Sequence, residues 1–257
     1  MDQLEEKIIT ELQKMPGKVS FYYKELEGDG TLSFQAGESL MAASVIKLPI
    51  LAAVFQAFED GVLSPGQSYT LREEDKKPSC GCLNRLHAGL PLTVTDLCNL
   101  MIILSDNTAT NILIGLLGME KINAWMDGQG FSDCRLNRLL FDEEASKRGI
   151  QNYVSAKSAG TMLERLYRGT LVSGPADEQM LAILKEQRLN GKIPFRFEEK
   201  LPIAHKTGED SGITHDVGIV YGRHPFIVCF MGNEVKVPAF ERFMQDTAFE
   251  LFERLNG

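Results

Sequence analysis

Residues 44–47 read Ser-Val-Ile-Lys, and the apolar residues after them recur at the spacing of one helix face. On such a helix Ser44 and Lys47 lie three residues apart and share a face. A serine hydroxyl is a poor nucleophile until a base takes its proton. A lysine can act as that base only when burial or a second cation lowers its pKa. The stretch therefore predicts a helix that begins with a candidate nucleophile and its base.

Two further short motifs follow in the chain. Residues 105–107 read Ser-Asp-Asn and residues 206–208 read Lys-Thr-Gly, at separations of 61 and 101 residues from the preceding serine. The first lies between two helical segments, where Asp106 can shape the turn through backbone hydrogen bonds. Thr93 or Thr95 can cap the helix before it, and Asp106 or Thr108 the helix after it. The second ends a predicted strand and brings a second cation. The three motifs in this order are typical of acyl-transferring serine enzymes with a lysine beside the nucleophile.

Strand patterns at both ends of the chain and helix patterns between them predict an α+β fold. The strands are expected at 18–26, 31–36, 200–207, 217–221 and 226–231, and the helices at 44–58, 93–104, 106–118, 119–127, 156–168, 177–189 and 240–252. We expect one domain over 1–257, with an antiparallel sheet built from both termini and flanked by helices. Its α/β lobe takes 1–42 and 191–257, and an all-helical lobe takes 43–190. The terminal helices should cover one sheet face and the helix with Ser44 the other.

Composition excludes several classes of function. The 257 residues carry a net charge of −8 with no basic stripe, which disfavours nucleic-acid binding. No apolar stretch reaches the roughly 20 residues of a membrane helix. Residues 1–14 read as an acidic amphipathic helix rather than a signal peptide. We expect a cytoplasmic monomer, with a removed leader as the alternative.

The five cysteines do not form a disulfide framework, because their number is odd and their spacing irregular. Cys98 and Cys229 lie in apolar runs and are expected in the core. Cys80 and Cys82 could form a redox or metal fragment, but no second pair or histidine cluster completes a site. We therefore expect no metal and no cofactor.

The order and spacing of the three motifs resemble class A β-lactamases and related penicillin-binding enzymes over nearly the whole chain. The resemblance implies a serine hydrolase that acts through an acyl-Ser44 intermediate, with Lys47 as general base. It also implies that Ser105 relays a proton to the leaving nitrogen and that Asn107 holds the substrate's side-chain amide. The substrate would be a β-lactam, or an amide or ester with a nearby carboxylate.

The resemblance assigns the Lys-Thr-Gly strand to substrate binding. Lys206 would supply positive charge and take part in proton transfer, and Thr207 would donate a hydrogen bond to a substrate carboxylate. Gly208 would let the substrate approach the strand. The backbone N–H of Glu209 would pair with that of Ser44 as an oxyanion hole.

His215 falls where class A enzymes commonly place an arginine that helps to bind the substrate carboxylate. A histidine could partly replace it, with a charge that depends on pH. A structural histidine with its hydrogen bonds satisfied is the alternative.

The resemblance fails at the group that releases the acyl chain. Class A enzymes activate the deacylating water with a glutamate, and here Leu139, Leu140 or Phe141 fills that position. Asp142 is our first candidate for a substitute base, with Glu143 and Glu144 behind it. The alternative is a solvated acidic cluster.

Two other functions therefore stay open. One is a peptidase or esterase of the same acyl-serine class, and the other is a penicillin-binding module that is acylated without turnover.

Overall fold

The computed structural model describes residues 2–78, 80–198 and 200–257. Its helices are α1 (Gln3–Lys14), α2 (Lys47–Glu59), α3 (Val94–Ile103), α4 (Asn107–Leu117), α5 (Met119–Gly128), α6 (Glu143–Lys147), α7 (Ala156–Tyr167), α8 (Gly174–Lys185) and α9 (Val237–Asn256). Its strands are β1 (Lys18–Glu25), β2 (Thr31–Phe34), β3 (Leu40–Met41), β4 (Ser68–Thr70), β5 (Pro91–Thr93), β6 (Tyr153–Val154), β7 (Ile203–Asp210), β8 (Ile213–Val220) and β9 (Phe226–Asn233). The helix predicted over 1–14 is α1, and Met1 lies outside the described residues.

The main sheet has five strands in the order β2-β1-β9-β8-β7, and every neighbouring pair is antiparallel. The predicted α+β class, with a sheet built from both ends of the chain, is confirmed. β7 and β8 extend toward each other beyond the predicted strands 200–207 and 217–221, because the turn between them comes at Ser211 and Gly212. Gly212 has a φ of 69°, a left-handed conformation that glycine adopts without strain. β7 is an edge strand of this sheet, so one side of its backbone is open for other contacts.

Helices cover both faces of the sheet. On one face, apolar residues of α1 and α9 form a common core with the strands, as predicted; they include Ile8, Leu12, Phe240 and Leu251. On the other face, the contacts come from α7, α8 and the 3₁₀ turn Ala43–Ile46. The helix α2 packs instead among α3, α4, α5 and α8. The expectation that the Ser44 helix covers this face is therefore wrong for α2 itself, and holds only for the turn before it.

Side-chain caps set several helix starts. Thr93 accepts a hydrogen bond from the Asp96 backbone N–H at the start of α3, and Asp106 caps α4 in the same way through Ala109. α8 starts three residues before the predicted 177, because Ser173 caps it and Pro175 occupies its first turn. The caps at Thr93 and Asp106 were among the predicted ones.

Within the described ranges, no helix is both long and apolar enough to cross a membrane. The division into an α/β lobe and a helical lobe, with boundaries near 42 and 190, stays a prediction.

Candidate active site

Ser44 sits in the 3₁₀ turn that leads into α2, and its half-buried side chain lines a cavity of about 650 Å³. The turn is entered through Ala43, whose φ of 41° is uncommon for a residue with a side chain. Such strained positions persist where the surrounding structure holds them, and they cluster at functional sites. Asn107 and Glu209 line the same cavity, so side chains from all three motif regions meet around Ser44.

Lys47 begins α2 and is completely buried. Its Nζ lies 2.6 Å from the Ser105 carbonyl oxygen, 2.8 Å from Asn107 Oδ1 and 3.0 Å from Ser105 Oγ. Burial, and then the charge of Lys206, hold the pKa of Lys47 well below its usual range. A neutral amine has two N–H donors and one lone pair. The carbonyl and amide oxygens can take both donors, which leaves the lone pair for a hydroxyl.

Ser105 joins the two lysines. Lys206 Nζ donates to Ser105 Oγ over 3.1 Å and to the Thr207 carbonyl over 2.9 Å. Ser105 itself has a φ of 54°, a second strained position in the site. Burial, together with Lys192 and against the carboxylate of Asp216, lowers the pKa of Lys206 to about 7. One serine hydroxyl therefore lies within hydrogen-bond distance of two buried lysines whose proton affinities are reduced.

Asp106 has a structural place beside these groups. Its carboxylate accepts hydrogen bonds from the backbone N–H groups of Cys82, Leu83 and Ala109, at 2.7 to 2.9 Å. This fits the predicted role of shaping the turn. The segment that it holds also brings Cys80 to the cavity wall. Across the described chain, no group of three or more metal-ligating side chains surrounds a common point.

Gly208 is where β7 meets the 3₁₀ turn. A Cβ added there would lie 2.9 Å from the His215 ring and 3.2 Å from both the Ala42 carbonyl oxygen and a methyl of Val45. The glycine therefore permits close packing of the strand against the turn that carries Ser44. The predicted approach of a substrate to this glycine stays a prediction.

His215 is fully buried, and both of its ring nitrogens are used inside the protein. Nδ1 accepts from the Gly232 backbone N–H at 3.0 Å, so Nε2 carries the proton and donates to the Met41 carbonyl at 2.8 Å. Burial lowers the pKa of His215 to about 4, which keeps the ring neutral at neutral pH. This arrangement favours the structural alternative and disfavours a cationic contact to a substrate carboxylate.

Sequence reasoning missed Lys192. This lysine is buried, and its Nζ lies 3.2 Å from the carbonyl oxygens of Gly208 and His215 and 3.0 Å from the Glu209 carboxylate. No motif surrounds it in the sequence, and its position depends on contacts with strands that follow it in the chain. It places a third lysine behind the Lys-Thr-Gly strand.

In the loop after α5, the three residues that could stand at the position of the missing glutamate line two different cavities. Leu139 lines a separate cavity of about 370 Å³, whereas Leu140 and Phe141 line the cavity of Ser44. The Asn111 side chain holds Leu140 in place by bonding to both its backbone N–H and its carbonyl, each at 2.9 Å. Asp142 lines the same cavity, and its carboxylate caps α6 through the backbone N–H of Ala145.

A serine at a helix start, two low-pKa lysines and a serine hydroxyl between them define the class of serine acyl-transfer enzymes on a helix-flanked antiparallel sheet. Comparison with known proteins gives the family. Residues 3–255 match the model of the Beta-lactamase enzyme family, and the chain belongs to that family. A β-lactamase of Streptomyces fradiae is 28% identical over 212 residues, which are 77% of this chain and 68% of that protein.

Solved structures share the fold over almost the full length. A β-lactamase of Sphaerobacter thermophilus superposes with a TM-score of 0.90 at 27% identity, covering 99% of this chain and 98% of the other. A leucine-to-glutamate mutant of PBP-A, solved as an acyl-enzyme complex with penicillin G, gives a TM-score of 0.89 at 23% identity, covering 98% and 96%. The chain is thus a β-lactamase-like serine hydrolase.

Proposed function

We propose that this protein is acylated by β-lactams, or by related amides or esters, at Ser44. The observation that carries the proposal is the Ser105 hydroxyl, which lies 3.0 Å from Lys47 Nζ and 3.1 Å from Lys206 Nζ beside the Ser44 turn. Two lysines with lowered pKa values and a hydroxyl between them form a path for a proton. Family membership supports the same chemistry.

In the proposed acylation, Ser44 Oγ attacks the carbonyl carbon while its proton passes to the lone pair of Lys47. The tetrahedral intermediate collapses as the bond from carbon to nitrogen breaks. The leaving nitrogen takes its proton from Ser105, whose hydroxyl is reprotonated from Lys47. Cationic Lys206 favours the negative charge that develops during the attack. Asn107 keeps Lys47 in position through its amide oxygen.

The oxyanion donors are proposed to be the backbone N–H groups of Ser44 and Glu209. The Thr207 carbonyl accepts from Lys206, so it points away from β8 and toward the site. Alternate residues of an antiparallel strand present their backbone groups on the same side. The N–H of Glu209, two residues on, should therefore also face the open edge of β7, where no other strand of the sheet covers it.

Deacylation is proposed to be slow. Leu140 and Phe141 line the cavity where a carboxylate is expected, and neither can take a proton from water. Losing a general base typically costs about 10²–10⁴ in the rate of the assisted step. We therefore expect acylation of Ser44 to be faster than release of the acyl group.

Intact-protein mass spectrometry during reaction with a chromogenic cephalosporin tests this function. A long-lived adduct of one molecule per chain with few turnovers is expected. Many turnovers with a short-lived adduct would instead indicate an efficient β-lactamase with a substitute base. Lack of both an adduct and turnover would overturn β-lactam acylation and favour the peptidase or esterase alternative.

The acylation rate should fall as the pH rises above about 7, because burial lowers the pKa of Lys206 to about 7. Below that pH the lysine carries a proton and supports the developing negative charge. Above it the charge is lost. The second-order acylation rate measured from pH 5.5 to 9 should fall with an inflection near 7. The variant Lys206→Arg keeps its charge over this range and should lack that inflection; an unchanged inflection in it would exclude Lys206 as the source.

Asp142 is retained as the candidate substitute base, and Asp142→Asn tests it. If Asp142 activates the water, release of the acyl group should slow by about 10²-fold or more while acylation is unchanged. The Asn side chain can still cap α6, so the fold should persist. Adduct decay followed by mass spectrometry measures the effect. Equal decay in Asp142→Asn and wild type would refute the role, with Asp210→Asn as the matched control, because Asp210 lines the same cavity.

The monomeric state, the absence of a cofactor and the location in the cytoplasm stay predictions.

A further inference from the structure

Lys192, the third lysine of the site, is paired with a carboxylate at the cavity. Lys192 Nζ lies 3.0 Å from Glu209 Oε1, and its side chain is 4% exposed whereas that of Glu209 is 57% exposed. Glu209 lines the cavity of Ser44, and Lys192 is not among the lining residues. The Glu209 carboxylate is therefore the accessible member of this pair, and the Lys192 ammonium is the buried one.

The position of this carboxylate matters because Glu209 follows directly after the Lys-Thr-Gly motif. The same residue is proposed to give its backbone N–H to the reacting carbonyl, so its side chain begins next to the reaction centre. Asp210, Asp142 and Glu143 also line the cavity. Arg138 is the basic side chain in that lining, and its guanidinium is held by the Gln151 side chain at 2.8 and 3.1 Å.

We propose that Glu209 is a specificity-determining residue that disfavours substrates with a carboxylate beside the scissile bond and favours neutral or amine-bearing ones. By pairing with Lys192, it takes up a positive charge that a substrate carboxylate could otherwise use. It also adds a like charge next to such a substrate, and like charges brought together at an interface repel each other. Because His215 is neutral, it does not replace the positive charge that Glu209 takes up from Lys192. This inference rests on the proposed acylation at Ser44.

The test compares acylation by penicillin G with acylation by its methyl ester, which lacks the negative charge. Wild type, Glu209→Gln and Glu241→Gln are measured at pH 6, where Lys206 is protonated. Glu241 is the matched control, because its carboxylate lies 3.9 Å from the same lysine but outside the cavity lining. The exposed, isosteric Glu209→Gln change keeps the backbone N–H, and acylation by the ester reports that the site remains intact.

We expect Glu209→Gln to raise the acylation rate for penicillin G, relative to its methyl ester, by about tenfold or more. Glu241→Gln should leave that ratio within about twofold of wild type. An unchanged or lower ratio in Glu209→Gln would overturn this proposal while leaving acylation at Ser44 standing. Failure of both compounds to label wild-type Ser44 would overturn the proposed function, and this inference with it.

Discussion

Replacing Ser44 by alanine is expected to abolish covalent acylation and any β-lactam turnover. Among the described residues that line the cavity, Ser44 is the hydroxyl that stands at the start of the helix carrying Lys47, and Asn107 lines the same cavity. Removing the nucleophile from a comparable catalytic unit costs on the order of 10⁶ in rate. Intact-protein mass spectrometry with a chromogenic cephalosporin should show no added mass on Ser44→Ala at times when the wild type is fully labelled.

Ser146→Ala is the matched control for this experiment. Ser146 lines the same cavity, and its hydroxyl accepts a hydrogen bond from Gln151 at 3.1 Å, away from the two lysines. This variant should be labelled as fast as wild type. Retained labelling of Ser44→Ala, with the adduct mapped to another residue, would show that the nucleophile has been misassigned.

Replacing Leu140 by glutamate is expected to speed release of the acyl group by about 10²–10⁴. Leu140 lines the cavity of Ser44 and is 8% exposed. Asn111 fixes its backbone, so a longer polar side chain there should be held toward the cavity. The carboxylate of this glutamate would take a proton from a water molecule, and that water would then attack the acyl-enzyme. The lifetime of the adduct should shorten while the acylation rate stays close to that of wild type.

Two variants separate general-base catalysis from a change in packing. Leu140→Gln introduces a side chain with the shape of glutamate but without a carboxylate. Leu139→Glu places a carboxylate beside the separate cavity. Both should keep the long adduct lifetime. If Leu140→Gln shortens the lifetime as much as Leu140→Glu does, access of water rather than a base limits release.

Local signals predicted much of this fold. The strands β1 and β2, the cap at Thr93 and the cap at Asp106 each depend on residues within a few positions of one another. Alternating or helical apolar patterns are read over similarly short windows. The start of α8 was misplaced, although Ser173 followed by Pro175 is a local start signal that the apolar pattern outweighed.

The candidate site was predictable where motifs name residues, and not where tertiary contacts decide. The convergence of Lys47, Ser105 and Lys206 follows from three motifs. Lys192 carries no motif, and its place behind β7 depends on strands that follow it in the chain. Which of Leu139, Leu140 and Phe141 lines the cavity of Ser44 depends on the hydrogen bonds between Leu140 and Asn111, which is far away in sequence. The neutral state of His215 likewise follows from contacts with Met41 and Gly232.

The Ser105 hydroxyl touches Lys47, which is 58 residues away, and Lys206, which is 101 residues away. Contacts between such distant segments form only after the loops between them have closed. The site therefore cannot exist in a partly folded chain that lacks either α2 or β7 in place. Covalent labelling of Ser44 during refolding would report when the site has formed, and labelling should lag behind the recovery of the helical signal. The reactivity of Ser44 is in this sense a property of the completed chain.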